Sequence, residues 1–212
     1  MTTIYIALDT TNIEKLTTLA NVIPRNFHIK VGLELFIANP AVIGKLFTVN
    51  PLFLDLKLHD IPTTIEKTVT NLRKYLPKIV TVHSSGGHGM LKAAQHGFAG
   101  TSSSIAGVVN LSSMPIDKGK IHNRISRLIK AGIPYVILPP VKSVIVGVQE
   151  VYPELKIITP GIRPSWYVKE DDHVNVLSLE EAYKLNIDVV MGRPLLSLDP
   201  ETMIRYIQEQ KV

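Results

Sequence analysis

The chain predicts a single (β/α)8 barrel, the TIM-barrel architecture of the α/β class, on three observations. Strand-like and helix-like segments alternate along its whole length, as parallel strands joined by crossover helices do. Eight such units fit into 212 residues, the small end of the usual size for a closed barrel. The residues able to do chemistry, Asp9, Lys30, Asp55, Lys57, His83, Ser113, Thr159 and Arg193, fall at predicted strand ends, the face on which barrels build active sites. An open, doubly wound sheet is the alternative.

The first strand runs from Thr3 to Leu8 and ends at Asp9, with a helix from about Asn12 to Val22. The second, His28 to Val31, carries Lys30 in an apolar setting and precedes helical sequence from Leu33 to Phe47 that breaks near Pro40. The third begins at Leu52, and Pro62 opens the helix that follows it to about Tyr75. The fourth, Lys78 to Val82, meets His83 and a Ser-Ser-Gly-Gly turn before a helix from about His88 to Gly97. The fifth, Ser104 to Leu111, ends in Ser112-Ser113, and Ile121, Ile125, Leu128 and Ile129 then recur at helical spacing. The sixth, Tyr135 to Leu138, meets Pro139-Pro140 and a helix to about Val151. The seventh, Leu155 to Ile158, runs into Thr159-Pro-Gly-Ile-Arg-Pro164 and a long loop, after which Ser178 and Glu181 read as a capping box for a helix to Leu185. The eighth, Val189 to Met191, ends in Gly192-Arg193, and Asp199 with Pro200 opens the last helix.

The third strand is the informative one. Side chains alternate faces along a strand, so Leu52, Leu54, Leu56 and Leu58 share one apolar face and Phe53, Asp55 and Lys57 the other. A carboxylate and an ammonium therefore point the same way, toward the barrel axis, or toward solvent if the strand lies at an edge.

Composition narrows the function. Hydrophobic residues make up 45% and charged residues 19%, with no linker-like segment, so residues 1–212 read as one domain with a sizeable core. The absence of cysteine removes disulfides, thiolate metal sites and cysteine nucleophiles, and suits a reducing compartment such as the cytoplasm. No signal-peptide pattern and no membrane-length apolar run is present. The net charge of +5 is scattered and not interleaved with aromatic residues, so no nucleic-acid groove is expected, and one anion site is.

Lys30, Asp55, Lys57 and Asp60 supply two cations and two carboxylates that could alternate in one partly buried cluster. Unit charges about 4 Å apart interact by roughly 4 kcal/mol at an effective dielectric near 20, so alternation would keep both lysines protonated. An ammonium fixed beside a substrate carbon can stabilise negative charge developing there and then protonate it. A purely structural ion-pair network is the other reading. Gly161, Arg163, Gly192 and Arg193, after the seventh and eighth strands, form a candidate phosphate site, because barrels bind phosphate there and arginine grips it bidentately. His83 has no partner at metal-ligand spacing and reads as a hydrogen-bonded barrel histidine. Ser112-Ser113 lacks a nucleophile elbow and suits orienting a ligand.

The stretch Asp55-Leu-Lys-Leu-His-Asp-Ile-Pro-Thr-Thr64 resembles the signature of the orotidine 5′-monophosphate decarboxylase family, Asp-x-Lys-x-x-Asp followed by Ile-Pro. The resemblance continues, in family order, through Ala7-Leu-Asp9, Lys30-Val-Gly32, Val82-His-Ser-Ser-Gly-Gly87, Leu111-Ser-Ser-Met114, Thr159-Pro-Gly-Ile-Arg-Pro164 and Gly192-Arg-Pro194, and so covers nearly the whole chain. It implies decarboxylation of orotidine 5′-monophosphate to uridine 5′-monophosphate, the last step of pyrimidine nucleotide synthesis, without metal or other cofactor. By position, Lys57 would stabilise and protonate the C6 carbanion, held by Asp55 and Asp60, while Lys30 completes the charged chain and reaches the ribose. Asp9 would bind a ribose hydroxyl, Ser113 the pyrimidine edge, Pro160 the base and Arg193 the phosphate. In that family the positions matching Asp60, Ile61 and Thr64 reach into a neighbouring subunit's site, so the resemblance implies a homodimer with shared active sites.

The chain departs from the family pattern in three places. Asp171-Asp172-His173 stands where Asp-Gln is common, with His173 as the expected phosphate donor in place of glutamine. Pro139-Pro140 replaces a small polar turn after the sixth strand, and Ser112 replaces a common threonine. Two rival functions stay open. One is a magnesium-dependent sugar-phosphate decarboxylase or aldolase of the same superfamily, such as the 3-keto-L-gulonate 6-phosphate decarboxylases, against which Lys30 counts because a cation there would repel the metal. The other is a catalytically silent nucleotide-binding barrel.

Overall fold

Eight parallel strands close on themselves in the computed structural model, which describes residues 2–46, 49–110, 115–167 and 175–210. In chain order they are β1 (Ile4–Ala7), β2 (His28–Gly32), β3 (Leu52–Leu58), β4 (Ile79–His83), β5 (Ser104–Val108), β6 (Tyr135–Ile137), β7 (Lys156–Thr159) and, after a small two-stranded sheet of β8 (Ile162–Arg163) and β9 (Leu177–Ser178), β10 (Asp188–Met191). Each barrel strand pairs with its sequence neighbours, and β1 pairs with β10 to close the ring, so the doubly wound alternative is excluded. The closed sheet has no edge, which also removes the edge-strand reading of β3.

The helices are α1 (Ile13–Val22), α2 (Leu33–Ala38), α3 (Pro40–Leu46), α4 (Pro62–Leu72), α5 (Gly87–Gly97), α6 (Lys118–Ala131), α7 (Lys142–Val151), α8 (Leu179–Lys184), α9 (Arg193–Ser197) and α10 (Pro200–Glu209). Their starts follow local chemistry. Asn12, Asp117 and Asp199 each accept an N–H of the first turn, and Ser178 with Glu181 forms the expected capping box. The break at Pro40 separates α2 from α3. No helix among the described residues is long and apolar enough to cross a membrane.

Two apolar shells hold the barrel. The outer one joins strands to helices: Leu52, Leu54 and Leu56 of β3 pack there, as do Ile121, Ile125 and Leu128 from one face of α6. The inner one, on the axis, is built from Tyr5, Ala7, Phe53, Ile79, Ala106, Val108, Ile137, Ile158 and Val190. Burying a large apolar side chain stabilises by roughly 1.5–3 kcal/mol, so truncating Leu128 to Ala costs about 2–5 kcal/mol.

The structure departs from the sequence-based expectation in the last quarter of the barrel. The predicted loop after the seventh strand contains the β8–β9 pairing, Ile162 with Leu177 and Arg163 with Ser178. Two residues per strand are too few to give an alternating pattern. The short α9 is likewise hidden in the sequence, because Arg-Pro after Gly192 reads as a turn when only five residues follow before Leu198 ends the helix.

Candidate active site

The mouth of the barrel at the C-terminal ends of the strands holds a cleft of about 240 Å³. β1 to β3 contribute Ala7, Asp9, Lys30, Phe53, Asp55 and Lys57 to its lining, and the later strands and their loops contribute Val108, Asn110, Ile137, Pro160, Gly161, Arg163, Val190, Gly192 and Arg193. Alternation along the strands places these side chains. Phe53 and Asp55 follow one another on the inner face of β3, while Lys30 of β2 lies in register with Ala7 and Phe53.

Four charges alternate across this cleft. Lys30 Nζ lies 2.9 Å from Asp9 Oδ1 and 3.6 Å from Asp55 Oδ2, and Lys57 Nζ lies 2.8 Å from the same Asp55 oxygen. Asp55 thus sits between two ammonium groups. Burial is the largest single influence on Asp55 and would raise its pKa, but Lys30, Lys57 and hydrogen bonds from Lys57 and Thr81 together outweigh it and hold the carboxyl below its ordinary range. For Lys30 burial is again the largest influence and favours the neutral amine, yet Asp9 and Asp55 overcome it and raise its pKa. Each of these two residues therefore keeps its charge inside the protein. The Lys57 side chain, at 42% exposure the more open of the two lysines, presents its ammonium to the cleft.

β3 reaches this geometry through an irregularity. Leu54 pairs with Val80 and Leu58 with Val82, so Asp55, Leu56 and Lys57 together face Thr81 alone. Lys57 adopts a left-handed backbone, φ 49°, which costs a residue with a side chain about 1–3 kcal/mol. The fully buried Thr81 spans the gap: the Lys57 N–H donates to its Oγ1 at 2.8 Å, and its hydroxyl donates to Asp55 Oδ1 at 3.0 Å.

The opposite wall is basic. Arg163 is buried, its Nη1 donates to the Ile162 carbonyl at 2.9 Å, and its guanidinium lies 6.0 Å from the Tyr167 ring centre. Burial lowers its pKa. Arg193 opens α9 beside it in the lining. Two glycines shape this wall. A Cβ on Gly192 would stand 3.0 Å from the Ala7 Cβ and 3.2 Å from Asp9 Oδ2, so a side chain there presses on the charged chain. Gly161 turns the chain at φ 79°, a conformation that favours glycine.

Of the residues singled out from the sequence, Asp9, Lys30, Asp55, Lys57, Pro160, Arg163, Gly192 and Arg193 converge on the cleft. Asp60 is corrected as a member of the cluster within one chain: it is exposed, its Oδ1 accepts the Ile61 N–H at 2.7 Å, and the alternating partner it was expected to be is Asp9. Ile61 and Thr64 are exposed at the start of α4 and line no part of this cleft. Ser113 and His173 lie outside the described residues. Thr159 ends β7 fully buried but is absent from the cleft lining, which Pro160 enters instead. His83 lies off the cleft, stacked on His59 with ring centres 5.4 Å apart, and its Nδ1 accepts the Ser85 N–H at 3.3 Å. Burial, then His59 and Arg124, lower its pKa. Sequence reasoning missed Thr81 and Asn110. A hydroxyl at every-other-residue spacing from His83, and an amide ending an apolar strand, were the available signals.

Among the described residues no three His, Cys, Asp or Glu side chains gather so as to hold a metal ion. Known proteins resemble this chain in both sequence and fold. The profile of the "Orotidine 5'-phosphate decarboxylase / HUMPS family" matches residues 2–204. The orotidine 5′-phosphate decarboxylase of Sphingopyxis alaskensis is 32% identical over 225 aligned positions, covering 97% of each chain, and that of Wolbachia sp. subsp. Brugia malayi is 35% identical over 92% of each. The crystal structure of orotidine 5′-phosphate decarboxylase from Lactobacillus acidophilus superposes with a TM-score of 0.80 at 26% identity, covering 99% of each chain.

Proposed function

The chain belongs to the orotidine 5′-phosphate decarboxylase / HUMPS family, and on that premise we propose that its cleft decarboxylates orotidine 5′-monophosphate to uridine 5′-monophosphate, in pyrimidine nucleotide synthesis, with Lys57 as proton donor. The observation that carries the mechanism is the alternating chain Asp9–Lys30–Asp55–Lys57 at the mouth of the barrel. As the bond from C6 to the carboxylate breaks, its electron pair stays on C6 and carbon dioxide leaves. The Lys57 ammonium offsets the growing negative charge and then gives C6 a proton, and solvent reprotonates the amine. Asp55, held ionised by both lysines, fixes the Lys57 ammonium through the 2.8 Å ion pair and would repel the departing carboxylate.

The remaining roles follow the cleft. Asp9 and Lys30 hold the ribose, Pro160 lines the base, and Arg193 with Gly192 and Arg163 takes the phosphate; for Ser113 and His173, outside the described residues, the roles on the pyrimidine edge and the phosphate rest on the family pattern alone. Asp60, Ile61 and Thr64 serve the site of a partner subunit in a homodimer. Their exposure supports this, Ile61 presenting 63% of an apolar surface, and so does Lys57, whose ammonium has an ion pair to Asp55 on one side and an open cleft on the other. Lys30 between Asp9 and Asp55 weighs against the magnesium-dependent reading, because an ammonium fills the space between the carboxylates that a metal ion would need.

Purified protein is expected to convert orotidine 5′-monophosphate to uridine 5′-monophosphate undiminished by a metal chelator. Folded protein without turnover would overturn the function, and turnover lost to the chelator would overturn the metal-free mechanism. The shared site has its own test. Lys57→Ala and Asp60→Asn, each nearly inactive, should regain roughly a quarter of wild-type activity when unfolded and refolded together, because half the dimers then carry one intact site.

A further inference from the structure

We infer that Thr81, for which no role was expected from the sequence, is a positioning residue of the reaction, and the inference rests on Lys57 and Asp55 having the roles proposed above. Three residues of β3 stand opposite Thr81 alone, so the backbone ladder between β3 and β4 is interrupted where the reacting groups lie. A backbone N–H left without an acceptor in such a gap is costly, and a left-handed lysine held by nothing would relax toward the ordinary strand conformation. The Thr81 hydroxyl closes the gap in both directions. It accepts the Lys57 N–H and donates to Asp55 Oδ1, so one buried oxygen fixes the backbone of the proton donor and the plane of the carboxylate beside it.

The second bond sorts the Asp55 oxygens. Oδ1 is taken by Thr81, which leaves Oδ2 to face both Lys57, at 2.8 Å, and Lys30, at 3.6 Å. A carboxylate free to rotate would share its charge between the two lysines in several ways and would let the Lys57 ammonium drift. Thr81 is fully buried behind the lining residues Asp55 and Lys57 and is not itself part of the cleft lining, and its hydroxyl has its acceptor and donor already assigned, so it acts on the reaction through Lys57 and Asp55 and not on the substrate.

Thr81→Val keeps the shape and removes the hydroxyl. Displacing a reacting group by about an ångström costs up to roughly a hundredfold in rate, so kcat should fall about ten- to a hundredfold while KM moves less than about threefold. Thr81→Ser restores the hydroxyl and should stay within about threefold of wild type in kcat. Hydrogen exchange at the Lys57 amide should be at least about tenfold faster in Thr81→Val and near wild type in Thr81→Ser. Wild-type kcat in Thr81→Val, or equal impairment in both variants, would overturn the inference, as would an unchanged Lys57 exchange rate. If Thr81→Val does not fold, Thr81→Cys, whose thiol is a weak donor and acceptor, replaces it, and a wild-type kcat there overturns the inference equally. The exchange measurement needs no turnover. A wild-type protein unable to decarboxylate would therefore fail the proposed function while the Lys57 amide still decides what Thr81 does.

Discussion

Each end of the barrel holds a partly buried carboxylate, and the two have their pKa values pushed in opposite directions. At the mouth, Asp55 faces two ammonium groups and a hydroxyl, and its pKa lies below the ordinary range despite burial. At the floor, Asp188 opens β10 near Tyr5 and accepts the Thr3 N–H at 2.7 Å, and burial raises its pKa more than that bond, the N-terminus and Lys156 lower it. Tyr5 is raised as well, by burial first and by Asp188 second. Burial alone thus does not set the direction of a carboxylate's shift; cations in direct contact, as Lys57 and Lys30 are with Asp55, do. The mouth brings its cations into the cleft where the proposed reaction would use a fixed charge, while the floor uses one carboxylate to anchor the start of β1.

Removing the reacting cation should give the largest effect. Lys57→Ala is expected to lower kcat by roughly ten-thousandfold or more while uridine 5′-monophosphate still binds, measured by steady-state kinetics and calorimetry. Neutralising the carboxylate between the lysines comes next. Asp55→Asn should lower kcat by at least about a hundredfold, and it should destabilise the fold by about 3 kcal/mol in urea because two ammonium groups lose their shared partner. The same variant tests the electrostatics. With its folded pKa lowered, Asp55 contributes stability that is present above the unfolded value of about 3.9 and is lost as pH falls through the folded value, so Asp55→Asn should lose less stability on acidification than wild type. Asp188→Asn gives the smallest effect, with kcat within about twofold, because the floor takes no part in chemistry. Its sign is opposite. A raised folded pKa makes the wild type lose stability as pH rises from about 4, and urea midpoints for Asp188→Asn should rise relative to wild type over that range. Equal pH profiles for the two variants would break the comparison between the barrel's ends.

Much of the site is legible in the sequence. Two residues apart on one strand, Asp55 and Lys57 have to share a face, and their apolar neighbours on the other face say which way that strand is buried. Gly192-Arg193 after the eighth strand and Pro160-Gly161 after the seventh carry their own local geometry. Asp60 misleads because proximity in sequence is not proximity in space: past Leu58 the chain leaves the barrel, and the next carboxylate after Lys57 is exposed and accepts the Ile61 N–H instead of joining the cluster. The family pattern makes Asp9 a ribose contact, but its pairing with Lys30 comes from β1 and β2 lying side by side, a relation that no local pattern states.

The sequence by itself determined the alternation of strand and helix, the inner and outer faces of β3, the helix caps and the identities of the charged residues at the mouth, because periodicity, capping and side-chain chemistry are local. Only the closed barrel decided that Asp9, Lys30, Asp55 and Lys57 form one unbroken alternation, and that a threonine on the adjacent strand holds it in place. The reason is the same for both. Coulomb and hydrogen-bond energies depend on separations of a few ångströms between groups that lie 21 to 26 positions apart along the chain, as Asp9–Lys30 and Asp55–Thr81 do, and only the pairing of the barrel strands sets those separations.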